Sequence, residues 1–290
     1  MSLFSMSGFS YQEHLSNAEL HLAFEKSRKK HTITSKDRKL TDPCSALDLC
    51  CVNHFARLRW SKAFCKEFGI FFDLDDQNTF PDRPLFFVTL TDVFCTTDHD
   101  ASSINIRNFK RKLQAGLRGL SYVGMVEPGL YVNVAPGTRW SNKKAVSWHL
   151  HAVCWGENRR EIKKRYCRLN RDGWYLSILN SQRGADQKEI LDSRLPNNRD
   201  RTFLADKLRY LLKSPQKAYR IYKTKRITCD GELVPCLRQR KSNLRKGDWI
   251  TLFHLLKGLH FPELAAAGGE GTDIMRRIKR RAVLVRGARN

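Results

Sequence analysis

The run Val146-Ser147-Trp148-His149-Leu150-His151-Ala152-Val153-Cys154-Trp155 decides how this chain is read. Apolar, aromatic and β-branched residues dominate it, which predicts a strand. Side chains alternate between the faces of a strand, so His149 and His151 point the same way. Trp148, Leu150, Ala152 and Cys154 take the other face, where they can pack under a helix. Two imidazoles at that separation can hold one divalent ion between them.

The surroundings are cationic. Fifty-three Lys and Arg against 29 Asp and Glu give 290 residues a formal charge of +24, which points to a polyanionic partner, with nucleic acid first among candidates. A hydrophobic fraction of 41% is enough for a real core and excludes global disorder. No stretch approaches the roughly 18 apolar residues of a membrane span. Met1-Ser2-Leu3-Phe4-Ser5 lacks the basic start and apolar run of a secretory signal. With nine unevenly spaced cysteines, the expectation is a cytoplasmic protein with reduced thiols and no membrane partner. Cys44, Cys50, Cys51 and His54 cluster without a CxxC pair, so buried free thiols are expected there rather than zinc.

Around the histidine strand the chain divides into a basic helical N-terminal extension (1–80), a central domain (81–226) and a C-terminal accessory helical region (227–290). The first forty residues, including Lys26-Ser27-Arg28-Lys29-Lys30-His31, read as a loosely ordered arm, and Ala46 to Phe68 as a helix. Leu85 to Thr91 reads as a strand with Thr89 and Thr91 on one face. Ser102 or Ser103 can cap a helix reaching Leu117. A strand from Leu120 to Val126 leads into Glu127-Pro128-Gly129, and Leu130 to Ala135 reads as a separate short strand. Helices are expected over Glu157–Leu169, Thr202–Lys213, Trp249–Leu259 and Asp273–Arg281. The fold class is therefore α+β, a central antiparallel sheet flanked by helices, with helical extensions at both ends.

Three residues suggest a metal centre. Beside His149 and His151, Glu127 is a harder third ligand at the end of the preceding strand, and the set leaves positions open for phosphate oxygen and water around Mg²⁺ or Mn²⁺. Asp206-Lys207-Leu208-Arg209-Tyr210-Leu211-Leu212-Lys213 supplies a nucleophile: Tyr210, Lys213 and Lys207 share one helix face, and positive charge favours a phenolate. Each pattern alone is also common as an ordinary polar strand or a surface tyrosine on a basic helix.

Taken in order, the Thr-rich strand, Glu127-Pro128, His149-Leu150-His151 and Tyr210-x-x-Lys213 resemble the HUH endonuclease superfamily. Within it, the likeness is to the rolling-circle replication initiator (Rep) proteins of plasmids and single-stranded DNA phages. The resemblance spans about Leu85 to Lys225. It implies an HUH nuclease fold in which Tyr210 and Lys213 are catalytic and His149, His151 and Glu127 hold Mg²⁺ or Mn²⁺. The implied reaction nicks single-stranded or hairpin origin DNA through a 5′-phosphotyrosine link and leaves a 3′-hydroxyl primer; the strand is later rejoined. Lys110, Arg111 and Lys112, with Arg159, Arg160, Lys163, Lys164 and Lys207, are the expected DNA contacts. Tyr219 and Tyr222 lie beyond Pro215, off that helix face, so a single-tyrosine enzyme is expected. No GxxxxGK[ST] loop is present, so a separate helicase and DNA polymerase are expected partners. A relaxase or single-strand transposase of the same superfamily is the nearest alternative, although the third histidine common in relaxases is missing. A non-catalytic nucleic-acid-binding protein is the alternative from another class.

Overall fold

The computed structural model describes residues 6–26, 33–74, 83–101, 104–134, 144–179, 184–191, 198–227 and 230–284. The histidine run forms the strand β3 (Lys144–Trp155), and Trp148, Leu150, Ala152 and Cys154 are all fully buried on the face opposite the histidines. The strand's two tryptophans, two valines and uninterrupted apolar face suit a central position. β1 (Leu85–Asp98) pairs antiparallel with one side of β3, and β2 (Ser121–Val132) with the other. Beyond β1 lies β4 (Ala185–Leu191).

The outer edge of β2 is shared. Its first half pairs antiparallel with β7 (Ala265–Gly268) over Tyr122–Met125, and its last residues, Leu130–Val132, pair parallel with β5 (Lys217–Ile227). β6 (Leu233–Asn243) follows β5 in a hairpin, giving a seven-stranded sheet in the order β4-β1-β3-β2-β5-β6 with β7 beside β2. The architecture is thus α+β with one parallel pair in an otherwise antiparallel sheet.

The helices divide between the two faces. On the histidine side, Phe71 of α3 (His54–Phe71) and the adjacent Phe72 set their rings against Trp155, and α6 (Asn198–Leu212) packs against β2, β3 and β4. On the other side, α4 (Ile106–Gln114) packs against β1 and β3, and α5 (Arg159–Arg171) against β4.

Several boundaries differ from expectation. The strand expected to end before Glu127 continues without a break to Val132. Proline normally interrupts a central strand because it cannot donate to the ladder. Pro128, however, falls in the stretch of β2 between the β7 and β5 pairings, where only β3 lies alongside. The expected loose N-terminal arm instead holds helix α1 (Ser7–Glu25), which buries Phe9, Leu20, Ala23 and Phe24, and the short helix α2 (Ser35–Lys39). The buried face of α1 includes Glu13 and Ser16, which hid the apolar stripe. Most of the basic run after Lys26 lies outside the described residues, as do Ser102 and Ser103. The helix expected after those serines is α4, capped by the Asn105 side chain, which accepts from the Asn108 amide at 3.0 Å. The helix expected from Ala46 begins only at His54, behind the Asn53 cap; a 3-10 turn over Pro43–Asp48 precedes it. Beyond residue 226, helices alone were expected. The chain there supplies β6 and β7 to the sheet, together with α7 (Lys246–Leu256), α8 (Phe261–Leu264) and α9 (Gly271–Leu284).

Among the described residues no helix is long and apolar enough to cross a membrane. The eight described cysteines, including Cys44, Cys50 and Cys51, are free thiols.

Candidate metal and tyrosine site

Strand register assembles the acidic and imidazole groups. Glu127 on β2 lies directly opposite His149 on β3, Met125 lies opposite His151, and Thr89 on β1 lies opposite His151 from the other side. Directly opposed residues share a face, so one carboxylate and two imidazoles converge there. One ligand atom from each of Glu127, His149 and His151 lies within 4.8 Å of the others, the only such group found among the described residues. Gly129, also on this face, makes room for the set: a Cβ there would sit 3.3 Å from Cε1 of His149.

The ring nitrogens are divided between support and ligation. Nδ1 of His151 lies 2.9 Å from the Thr89 hydroxyl oxygen, and Nδ1 of His149 lies 3.3 Å from the Ser147 carbonyl oxygen. With Nδ1 so engaged, each ring leaves Nε2 available, the arrangement by which a hydrogen-bonded partner orients a ligating histidine. Nε2 of His151 and Oε1 of Glu127 are both out of water with no hydrogen-bond partner. Unsatisfied buried polar atoms are rare, and these two belong to the one cluster of metal-binding composition among the described residues.

Burial governs the charges. It pushes His149 down to about 4 and His151 well below its ordinary value, aided by Lys213 and Lys241, so both rings are neutral and carry free lone pairs. Burial also pushes the Glu127 carboxyl up to about 8, against the pull of Arg57 and Lys213. Removing a charged carboxylate from water is expensive without a counter-charge. The Glu/His/His group can therefore bind a metal ion, which would supply that charge.

Above this group stands α6. Leu204, Leu208, Leu211 and Leu212 bury its inner side, and the 3.6-residue period turns Tyr210 toward the sheet. The Tyr210 ring lies 5.1 Å, centroid to centroid, from His151 and 6.0 Å from Phe87, which itself stacks on His151 at 5.3 Å. Lys213 Nζ sits 4.0 Å over the Tyr210 ring and Lys207 Nζ 5.9 Å from it. The end of α6 is braced by the N-terminal region. Arg57 donates to the carbonyl oxygens of Leu212 at 3.0 Å and Lys213 at 3.3 Å, while Glu13 accepts from the Ser214 amide at 2.8 Å.

Two features depart from expectation. The lysines do not bring Tyr210 toward phenolate: burial first, then the charges of Tyr219 and Glu127, push its pKa above the usual phenol value. Tyr219, set aside because it lies off the α6 face, enters the site from β5. It stacks on Tyr131 at 4.9 Å, and its charge is among the causes that raise the Tyr210 pKa. Lys241 on β6, directly opposite Tyr219, brings its ammonium 5.6 Å from the Tyr219 ring and 5.9 Å from that of Tyr210. Both were missed for one reason, the strand pair β5–β6. The alternation in Ala218-Tyr219-Arg220-Ile221-Tyr222 ahead of the Asp230-Gly231 turn was the available hairpin signal.

The expected DNA contacts are placed unevenly. Arg111, Arg160, Lys163 and Lys164 are exposed. Lys110 is committed within the fold, donating to the carbonyl oxygens of Glu263 at 2.9 Å and Ala265 at 3.0 Å. Lys112 lies 3.7 Å from buried Asp92, and Arg159 lies 3.3 Å from Glu189. Lys207 lies over the Phe87 and Phe203 rings at 5.1 and 4.9 Å.

No protein-family model, curated protein or solved structure matches this chain.

Proposed function

We propose that this chain cuts and rejoins one strand of nucleic acid through Tyr210, at a divalent ion held by Glu127, His149 and His151. One observation carries the reading. The half-buried Tyr210 ring lies 5.1 Å, centroid to centroid, from that of His151, whose Nε2, like Oε1 of Glu127 in the same cluster, has no hydrogen-bond partner. Two imidazoles with one carboxylate suit Mn²⁺ better than Mg²⁺, which prefers oxygen throughout. When bound, the ion would polarise a non-bridging oxygen of the scissile phosphate.

The chain's own residues do the rest. Tyr210 passes its proton to solvent water as its oxygen bonds to phosphorus. The bond from phosphorus to the 3′ oxygen breaks, and that oxygen takes up a proton. The product is a 5′-phosphotyrosine and a free 3′-hydroxyl. A phosphodiester has been exchanged for a phosphodiester, so rejoining needs no external energy source. Lys213 offsets negative charge on the phenol and phosphate, and Thr89 fixes the His151 ring. This chemistry, the order of the motifs and the +24 charge support a rolling-circle replication initiator acting on single-stranded or hairpin origin DNA. Such an initiator would work with a separate helicase and polymerase in the cytoplasm.

The test is incubation with a labelled single-stranded oligonucleotide from candidate replicon DNA and Mn²⁺, followed by a denaturing gel. A labelled band at the mass of protein plus DNA supports the reading. A substrate cut without a covalent adduct, or cut equally well in chelator, rejects it.

A further inference from the structure

The β5–β6 hairpin is unlike the rest of the sheet. Its two eleven-residue strands pair along their whole length, from Lys217 opposite Asn243 to Ile227 opposite Leu233. Only Ala218–Arg220 pair with another strand, β2. Ile221 is buried, with Leu237 packed beside it, in a cluster with Tyr131, Val134, Ile178 and Leu179. From Tyr222 to the turn, six residues at about 3.4 Å each extend roughly 20 Å as a two-stranded ribbon with no further strand alongside among the described residues. Such a ribbon is marginal by itself and gains little from its own apolar contacts.

Its composition is one-sided. β5 contributes five lysines and arginines and β6 three, with no Asp or Glu in either strand. The register sorts them onto both faces. Lys223 and Lys225 lie on the face that carries Tyr219 and Lys241, while Arg238 and Arg240 lie on the other, beside Tyr222 and Arg220. Lys223, Lys225, Arg238 and Arg240 are all exposed. At the tip the directly paired Ile227 and Leu233 are 71% and 60% exposed, an apolar end that solvent alone does not explain.

A single nucleic-acid strand lying along a ribbon needs cations on one face. Cations on both faces suit a slot with a phosphate wall on each side. The major groove of B-form DNA is such a slot, and it admits a two-stranded β-ribbon. The deep, narrow major groove of A-form RNA does not. We infer that the β5–β6 ribbon seats in the major groove of duplex DNA, with Lys223 and Lys225 toward one backbone, Arg238 and Arg240 toward the other, and Ile227 and Leu233 toward base edges. Tyr219 lies on the same ribbon, four residues or about 14 Å from Lys223. The duplex is therefore held next to the tyrosine site, as a hairpin stem would be beside its cleaved strand. That last placement rests on the proposed strand-cutting function; duplex binding by the ribbon does not.

The experiment uses the full chain and fluorescence anisotropy with a 20-base-pair DNA duplex, the matching single strand, an RNA duplex and anionic phosphatidylserine vesicles, over a salt series. The variant replaces four exposed side chains together: Lys223→Ala, Lys225→Ala, Arg238→Ala and Arg240→Ala. Four lost phosphate contacts lower the slope of log K against log salt on duplex DNA by roughly 3–4 and weaken binding at least about tenfold near physiological salt. Single-strand affinity stays within about threefold, and adduct formation on a single-stranded oligonucleotide is kept. Swapping each lysine for arginine and each arginine for lysine restores the duplex slope, which separates charge from misfolding. An unchanged duplex slope, an equal loss on the single strand, or a loss confined to RNA or vesicles overturns the inference. Should the parent form no adduct at all, the strand-cutting reading falls while the duplex measurement still decides the ribbon.

Discussion

Tyr210, on α6, and Tyr219, on β5, share one cation: Lys241 Nζ lies 5.9 Å from the first ring and 5.6 Å from the second. A helix and a strand from opposite sides of Pro215 thus meet at one site. The pair is unequal: Tyr210 stands against His151, while Tyr219 is stacked on Tyr131. Tyr210→Phe should therefore abolish the covalent adduct. Tyr219→Phe keeps the ring stacked on Tyr131 and removes only a hydroxyl, so adduct formation should slow by no more than about tenfold, roughly what one hydrogen bond supplies. Single-turnover gels of both variants check this, and the opposite ranking would make Tyr219 the nucleophile.

The metal group predicts a stability effect that needs no substrate. Burial holds Glu127 protonated up to about pH 8, so Glu127→Gln, a neutral isostere, should leave the metal-free melting temperature nearly unchanged. Parent protein in Mn²⁺ at a hundred times the dissociation constant should gain about 2.7 kcal/mol. The Gln variant should gain little, and His149→Ala and His151→Ala likewise. Thermal melts with and without Mn²⁺ measure it; an equal Mn²⁺ gain in all four proteins would place the ion elsewhere.

How much of this was readable beforehand depended on whether local pattern and tertiary partner agreed. β3 was legible because its alternation matches its burial: Trp148, Leu150, Ala152 and Cys154 are fully covered, while the histidines take the other face. The α6 spacing of Lys207, Tyr210 and Lys213 was legible for the same reason. β2 is not legible past Pro128 because the gap between its two edge partners is a tertiary fact. α1 was misread because it buries Glu13 against Arg57 and Ser214, partners remote in sequence. The β5–β6 strands hid behind their charge, since few of their residues are apolar enough to mark an inner face.

Arg57 makes the N-terminal region part of the site. It is 8% exposed, and its guanidinium satisfies the carbonyls of Leu212, Lys213 and Cys51 while pairing with fully buried Glu13 at 3.5 Å. The last carbonyls of a helix need partners from outside it. Arg57→Ala strands those acceptors and leaves a buried carboxylate uncompensated, a loss of about 3–5 kcal/mol. Urea unfolding should show that loss. The double variant Glu13→Gln with Arg57→Met, which removes both charges, should recover part of it.

His54 gives the fold an acid-side weakness away from the metal group. Its ring is 6% exposed, neither nitrogen has a hydrogen-bond partner, and burial with the nearby charges of His14 and His21 pushes its pKa down to about 4. In the unfolded chain the same ring titrates near 6.5. Between these values the unfolded state binds the extra proton, so stability rises with pH; it is fully present above about 6.5 and lost as pH falls toward 4. The slope from this one group is at most about 1.4 kcal/mol per pH unit. His149, also pushed down to about 4, adds in the same direction. His54→Phe keeps an aromatic ring against His14 and Phe55, which lie 5.0 and 3.7 Å away by ring centroid, and removes the titration. Urea melts at pH 4.5, 5.5 and 6.5 should show a shallower pH dependence in the variant than in the parent, with the His149 share remaining. Parallel curves for the two proteins would mean that His54 takes up its proton without unfolding the chain around it.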